Sequence, residues 1–159
     1  MDMRKLASTV SIALGVLFIV AAAATALVVR AELDEQNIVT PDDACLPGRK
    51  VKGPFTAYCQ AEVIDKHARE ATGGLTYAEL PRDDPRRETA MQASFLRASL
   101  YTSVVAFGVA AMAAAMGVVF ILIGLGMRDV RQHLEAAAPP TPPTPPTPPP
   151  PPEPGAPPA

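Results

Sequence analysis

Two long stretches of this chain contain no charged side chain. The first covers residues 6–29 and is 24 residues long, and the second covers residues 98–127 and is 30 residues long. About 20 apolar residues are enough to cross the hydrocarbon core of a bilayer as a helix. Because backbone N–H and C=O groups find no water there, each stretch must satisfy them internally as a helix. The pattern predicts an all-α membrane protein built on a two-helix transmembrane hairpin.

The same pattern divides the chain into six segments. The two predicted spans, 6–29 and 98–127, are bordered by an N-terminus, a loop, a helix end and a tail, which cover residues 1–5, 30–97, 128–138 and 139–159. A two-span chain returns to the side from which it started. The loop is therefore expected on one side of the bilayer and both ends on the other.

Turn and cap residues predict a small helical module within the loop. Gly53-Pro54 is a typical helix start, since Pro at the first position has no N–H to leave unpaired, and Gly73 is a typical helix end. These residues bound a helix near 54–72. Asp84-Pro85 has the same start signature, and nothing interrupts the sequence beyond it. A continuous helix is therefore predicted from residue 85, through the second span, to about residue 134.

Basic residues at the outer flanks of the spans predict the orientation. Arg4 and Lys5 precede the first span, and Arg128 and Arg131 follow the second. Lys and Arg are enriched in cytoplasmic flanks, so both termini are expected in the cytoplasm of a bacterial cell and the loop outside its plasma membrane.

The first apolar stretch also has features of a cleaved signal peptide. Its start is basic, and Ala24-Thr25-Ala26 offers small residues of the kind found at cleavage sites. The stretch continues beyond them for longer than a usual signal core. A retained helix is predicted, with cleavage as the alternative.

The two cysteines of the chain both lie in the loop. Cys45 and Cys59 would then share an oxidising compartment, which predicts one disulfide bond. A bridge of this span contributes about 3 kcal/mol in the chain-entropy estimate. The alternatives are two free thiols, expected if the orientation were inverted, and a metal site, which would need further ligands.

Small residues recur at four-residue spacing in both spans and predict helix packing. This spacing lets helix backbones approach closely. The predicted packing residues are Ala7, Ser11 and Gly15 in the first span and Ala106, Ala110 and Ala114 in the second. One set of faces is expected to hold the hairpin together, and another to meet a second copy of the chain or a different membrane protein.

The charge of the loop is nearly balanced, at ten Lys or Arg against twelve Asp or Glu over residues 30–97. This balance predicts no basic patch for nucleic acid and no polybasic strip for anionic lipid. The acidic doublets Asp42-Asp43 and Asp83-Asp84 adjoin prolines, where turns and helix caps favour Asp, so we interpret them as structural.

The sequence offers no constellation of catalytic, cofactor-binding or metal-ligating residues. Neither span contains Asp, Glu, Lys, Arg or His, which makes a pump or transporter acting alone an unfavourable hypothesis. His67 and His133 are the only histidines, and the predicted topology places the membrane between them, which excludes an iron site built from both. The prediction is a protein without enzymatic activity or cofactor.

The tail, residues 139–159, contains fourteen of the nineteen prolines. Proline removes backbone donors, so the tail is expected to be disordered with polyproline II character. Thr141, Thr144 and Thr147 are spaced by three and would share one edge of such a helix. Two hypotheses remain open: a spacer, or a cytoplasmic strip that binds a proline-recognising partner and is modulated by threonine phosphorylation.

Three stretches resemble a known family: GPFTAY at 53–58, EATGGLTYAEL at 70–80 and ASFLRASLYTSVVAFG at 93–108. They are similar to small two-span membrane proteins of actinobacteria, a family without an established function whose members often carry the label of an aromatic ring-opening dioxygenase subunit. The resemblance covers about residues 6–127 and implies no catalytic residues. The ligands that such dioxygenase chemistry needs are missing from this sequence.

The leading functional hypothesis is an accessory or assembly component of the plasma membrane. Its expected partners are the lipid bilayer and a second copy or another membrane protein, without nucleic acid. The alternatives are a subunit of a membrane-associated enzyme, as the family label implies, and a small sensor that signals to the tail.

Overall fold

A computed structural model describes residues 3–137 of the chain. Within this range the fold is all-helical: α1 spans Met3–Glu35, α2 spans Pro54–Thr72 and α3 spans Arg86–Ala137. Strand-like pairing among these residues is limited to one antiparallel bridge between Val39 and Lys50. The range of α2 coincides with the predicted helix, and α3 begins one residue after Pro85 and continues without a break for 52 residues.

The ends of α2 show why local sequence determines its range. Thr56 Oγ1 accepts the backbone N–H groups of Lys52 and Gly53, each at 3.2 Å, which caps the start. At the other end Gly73 has φ 71°, a left-handed conformation that costs glycine little. The next N–H, of Gly74, bonds back to the Arg69 carbonyl at 2.7 Å and closes the helix.

α1 and α3 run antiparallel and meet along a line of small residues, which we call the seam. Its buried members recur every seven residues: Ser8, Gly15 and Ala22 on α1, and Ala110, Gly117 and Gly124 on α3. At the centre, a Cβ atom added to Gly15 would lie 2.6 Å from the Gly117 carbonyl oxygen, and one added to Gly117 would lie 2.6 Å from that of Gly15. The two backbones are therefore in direct contact.

Two hydroxyl groups link the helices across the seam. Ser8 Oγ donates to the Gly124 carbonyl oxygen at 2.8 Å, and Ser11 Oγ donates to that of Phe120 at 2.7 Å. The Phe18 ring stacks on the Phe120 ring at a centroid distance of 5.8 Å. These contacts fix the register of α1 against α3 in the half of the hairpin that lies away from the loop.

The predicted four-residue spacing is only partly correct. Ser11, Gly15 and Ala110 lie on the seam, whereas Ala7 is exposed, and Ala106 and Ala114 are half-buried. Four residues advance about 400° around a helix, so a four-residue stripe rotates away from a straight contact line within a few turns. Seven residues make nearly two full turns and stay on it.

The opposite end of the hairpin carries the helical module. Leu33 at the end of α1, Ala57 and Ala61 of α2, and Leu100 of α3 form one buried cluster with Val51 of the connecting loop. The two alanines are 0% exposed, so α2 lies closely against α3. All three helices meet at this core.

Away from the seam, the apolar side chains of α1 and α3 are exposed. Leu17, Val20, Val105 and Leu122 are each between 60% and 64% exposed. Within the described residues, α1 and α3 are both long enough and apolar enough to cross a membrane. Only 11% of the most apolar 18-residue segment of each helix is buried. By length and composition they match the predicted spans.

Replacing Gly15 with Ala is expected to destabilise the hairpin by roughly 1–3 kcal/mol, because the new methyl group would force the helices apart. Val16, the next residue, is 49% exposed, so Val16→Leu is the matched control and should change the stability by less than about 0.5 kcal/mol. Thermal unfolding in detergent, followed by far-UV circular dichroism, measures both. Equal stability of the two variants would show that the backbones are not in contact.

Candidate interaction surfaces

The loop between α1 and α2 is held by a disulfide bond and a buried threonine. The structure confirms the predicted pairing of Cys45 with Cys59, with Cα atoms 5.4 Å apart. Thr40 is 2% exposed, and its hydroxyl accepts the Arg49 N–H at 3.0 Å and donates to the Leu46 carbonyl. The disulfide bond fixes the tip of the loop to α2. Thr40 connects the incoming and outgoing segments of the loop to each other.

An exposed ion-pair cluster ties the same loop to α2. Asp43 Oδ2 lies 2.8 Å from Lys66 Nζ and 3.0 Å from His67 Nε2. Hydrogen bonds from Lys66 and then from His67 hold the pKa of the Asp43 carboxyl below its ordinary value of 3.8. The same carboxylate raises the pKa of Lys66 above 10.5. Asp43, one of the two residues of the first acidic doublet, is therefore paired with side chains of α2, as a structural role requires.

The second doublet caps α3. Asp84 Oδ1 accepts the backbone N–H of Arg86 at 2.9 Å, and the Arg86 guanidinium pairs with the carboxylate at 2.7 Å. The hydrogen bonds from Arg86 keep the pKa of Asp84 below its ordinary value. Arg86 Nη1 also donates to the Thr72 carbonyl at 3.0 Å, which fastens the end of α2 to the start of α3.

Polar contacts continue between α2 and α3. Asp65 pairs with Arg97 at 2.6 Å and with Arg69 at 3.0 Å, and the Tyr101 hydroxyl donates to Glu62. A cavity of about 60 Å³ lies beside these groups. Because Asp65 is already paired with two guanidinium groups, we interpret the contact as structural.

Two larger clefts open where the module meets α1. One, of about 490 Å³, lies between the end of α1, α2 and α3, and Glu32, Gln36 and Gln60 contribute its polar wall. The other, of about 510 Å³, is lined by Arg30, Arg49, Lys50 and Lys52 together with Phe55, and we call it the basic cleft.

The basic cleft corrects an expectation from the sequence. The near balance of charge in the loop predicted no basic strip, yet four basic side chains from α1 and the loop line one cleft. Counting charges along the chain missed them because 18 residues separate Arg30 from the next basic residue, Arg49. The turn held by Thr40 places Arg49 and Lys50 beside Arg30.

Within residues 3–137, no three His, Cys, Asp or Glu side chains lie close enough to hold a metal ion. His67 pairs with Asp43, and His133 is 3.7 Å from Asp129 at the far end of α3. The predicted tail residues Thr141, Thr144 and Thr147 lie outside the described residues.

Comparisons with family models, curated proteins and solved structures found no match for this chain. The resemblance to small actinobacterial membrane proteins therefore stays a prediction. In the described part of the chain, the surfaces that a partner could contact are the exposed apolar faces of α1 and α3, the helical module and its clefts.

Replacing both Cys45 and Cys59 with Ser is expected to accelerate hydrogen exchange of the Val51 amide by about a hundredfold. This amide bonds to the Ile38 carbonyl at 2.9 Å within the loop, and the 14-residue bridge contributes about 3 kcal/mol by restricting the unfolded loop. Exchange measured by NMR in detergent tests the effect. Wild-type protein with a reducing agent should match the variant, and unchanged exchange in both would contradict the role of the bridge.

Replacing Lys66 with Met is expected to raise the pKa of Asp43 toward its ordinary value of 3.8. Because the folded-state pKa is depressed, the tether stabilises the loop above pH 3.8 and loses this contribution as the pH falls through the lower folded value. Carboxyl ¹³C NMR titration measures the midpoint, with Arg82→Met as the control that should leave it unchanged. An unshifted midpoint in Lys66→Met would refute the pairing.

Proposed function

We propose that this chain is a non-enzymatic integral membrane protein that crosses the bilayer twice and acts as an accessory or assembly component. The observation that carries the proposal is the exposure of large apolar side chains on the sides of α1 and α3 that face away from the seam. In a soluble chain these side chains would stay in water. Each would then forgo the roughly 1.5–3 kcal/mol that burying a side chain of this size contributes. A bilayer removes that cost.

The packing of the helices supports two retained spans. The core helix of a soluble protein is mostly buried, whereas only 11% of the most apolar window is buried in either helix. A cleaved signal peptide would not need matched partners in the mature chain, yet Ser8, Ser11 and Gly15 each meet a specific residue of α3. These contacts favour a stable hairpin.

The disulfide bond supports an extracytoplasmic module. Such bonds persist in oxidising compartments, and the bridge lies in the segment between the two helices. Together with the basic flanks at Arg4, Lys5 and Arg128, it favours both termini in the cytoplasm.

A second small-residue face on α3 supports assembly with another helix. Gly108 and Gly126 each lie nine residues from Gly117, or about two and a half turns, so they lie on the side of α3 opposite the seam. Both have open space where a Cβ atom would be. Ala111 and Ala115 lie on the same face and are exposed. A second copy of this chain or another membrane helix could approach closely there.

Membrane insertion and orientation are tested together on cells that express the full chain. We expect the protein to stay with membranes after alkaline carbonate extraction. After mild reduction, a membrane-impermeant maleimide should label Cys45 and Cys59 in intact cells, because the module lies outside. Release by carbonate would contradict insertion, and labelling only after lysis would contradict the orientation.

Replacing Gly108 with Leu is expected to weaken assembly by roughly 5- to 150-fold, as 1–3 kcal/mol of overpacking implies. Val109 is 53% exposed and lies about 100° around the helix, so Val109→Leu is the matched control. Crosslinking and native gels in mild detergent measure the assembled fraction. A monomeric wild-type protein without a co-purifying partner would contradict the proposal.

A further inference from the structure

The basic cleft contains more positive charge than its acidic neighbours neutralise. Of its four basic residues, Lys52 pairs with Asp34, with Nζ 2.8 Å from Oδ1. Among the described side chains, no ion pair includes Arg30, Arg49 or Lys50. Four cations against the single carboxylate leave a formal excess of three positive charges in a cleft of about 510 Å³.

The charges of the cleft are held in place by the fold. Thr40 N donates to the Arg49 carbonyl and Val51 N donates to the Ile38 carbonyl, both at 2.9 Å, so the backbone on either side of Lys50 is fixed. The pKa of Asp34 is lowered mainly by its hydrogen bond with Lys52, and the nearby charges of Lys50 and Arg30 act in the same direction. Arg30, Lys50 and Lys52 therefore lie around Asp34, and their combined charge exceeds that of this one carboxylate.

The position of the cleft, taken with the proposed function on which this step depends, indicates what it faces. Arg30 is the first charged residue after the apolar stretch 6–29, so it lies where α1 leaves the hydrocarbon. Phe55, on the cleft wall, is 79% exposed, and Leu46 is 37% exposed. A cationic cleft with an apolar rim at this depth is complementary to a phosphate group attached to acyl chains.

We propose that the basic cleft binds the phosphate headgroup of an anionic phospholipid, with Arg30, Arg49 and Lys50 around the phosphate and Phe55 against the glycerol and upper acyl region. Guanidinium and ammonium groups recognise phosphate through charge-assisted hydrogen bonds. The bound lipid would attach the module to the membrane surface beside α1 and limit its tilt there.

Arg97 provides the contrast within the same protein. It borders the second predicted span as Arg30 borders the first, but its guanidinium pairs with Asp65 at 2.6 Å. The charge of Arg97 is satisfied inside the module, whereas the charge of Arg30 is directed to a cleft open to solvent or lipid.

The test uses the full chain reconstituted in vesicles of phosphatidylcholine containing trace spin-labelled lipid. Electron paramagnetic resonance then gives the fraction of spin-labelled phosphatidylglycerol, compared with spin-labelled phosphatidylcholine, that the protein immobilises. Wild-type protein should prefer phosphatidylglycerol. The Arg49→Gln/Lys50→Gln variant is expected to lower this preference by about 25-fold, since each of the two basic residues near an anionic surface contributes about fivefold. Arg82→Gln, beyond the far end of α2, should leave it unchanged.

Three outcomes would overturn the proposal in distinguishable ways. If the wild-type chain fails to float with these phosphatidylcholine vesicles in a density gradient, membrane insertion is wrong and the lipid site with it. If it floats but immobilises both labelled lipids equally, only the lipid site is wrong. If inorganic phosphate saturates the cleft in pure phosphatidylcholine vesicles, as seen by ³¹P NMR, while the protein shows no preference for phosphatidylglycerol, the cleft binds a soluble anion instead.

Discussion

Direct backbone contact between α1 and α3 is the constraint on which the rest of the structure depends. For two helices in a bilayer, lipid tails solvate apolar side chains as well as another helix does, so association must come from close packing and hydrogen bonds. Gly15 and Gly117 remove the side chains that would keep the backbones apart. Ser8 and Ser11 then reach carbonyl oxygens of the opposite helix without carrying a charge into the apolar region. A larger residue at the centre would weaken all of these contacts together.

The continuity of α3 converts this contact into a position for the module. One helix contributes both Gly117 to the seam and Leu100 to the core under α2. Leu33, at the far end of α1, joins the same core, so the seam and the core are linked by rigid helices on both sides. The pair Arg97–Asp65 adds a contact between α3 and α2, and the pair Lys52–Asp34 adds one between the loop and the end of α1. The basic cleft depends on this arrangement, because Arg30 comes from α1 and the other three cations come from the loop.

Features with local causes could be predicted from the sequence, and features that depend on distant pairing could not. The range of α2 follows from Pro54 and Gly73, which act within one turn, and the disulfide follows from the presence of only two cysteines. The seven-residue register of the seam depends on which small residues of α3 face those of α1, and both helices offer several. The burial of Thr40 likewise depends on pairing across the loop, because its hydroxyl bonds to Leu46 and Arg49, six and nine residues further on.

Charge illustrates this limit most clearly, since pairing in three dimensions decides which charges remain available. The loop has two more acidic than basic residues, and its sum predicts no attraction to anions. In the structure, Asp43, Asp65 and Asp84 are paired with Lys66, Arg97 and Arg86, which do not line the basic cleft. Of the carboxylates, only Asp34 pairs with a cation of the cleft in the described chain. A cleft responds to the field of its own lining rather than to the total charge of the protein. A nearly neutral loop can therefore present a cationic surface.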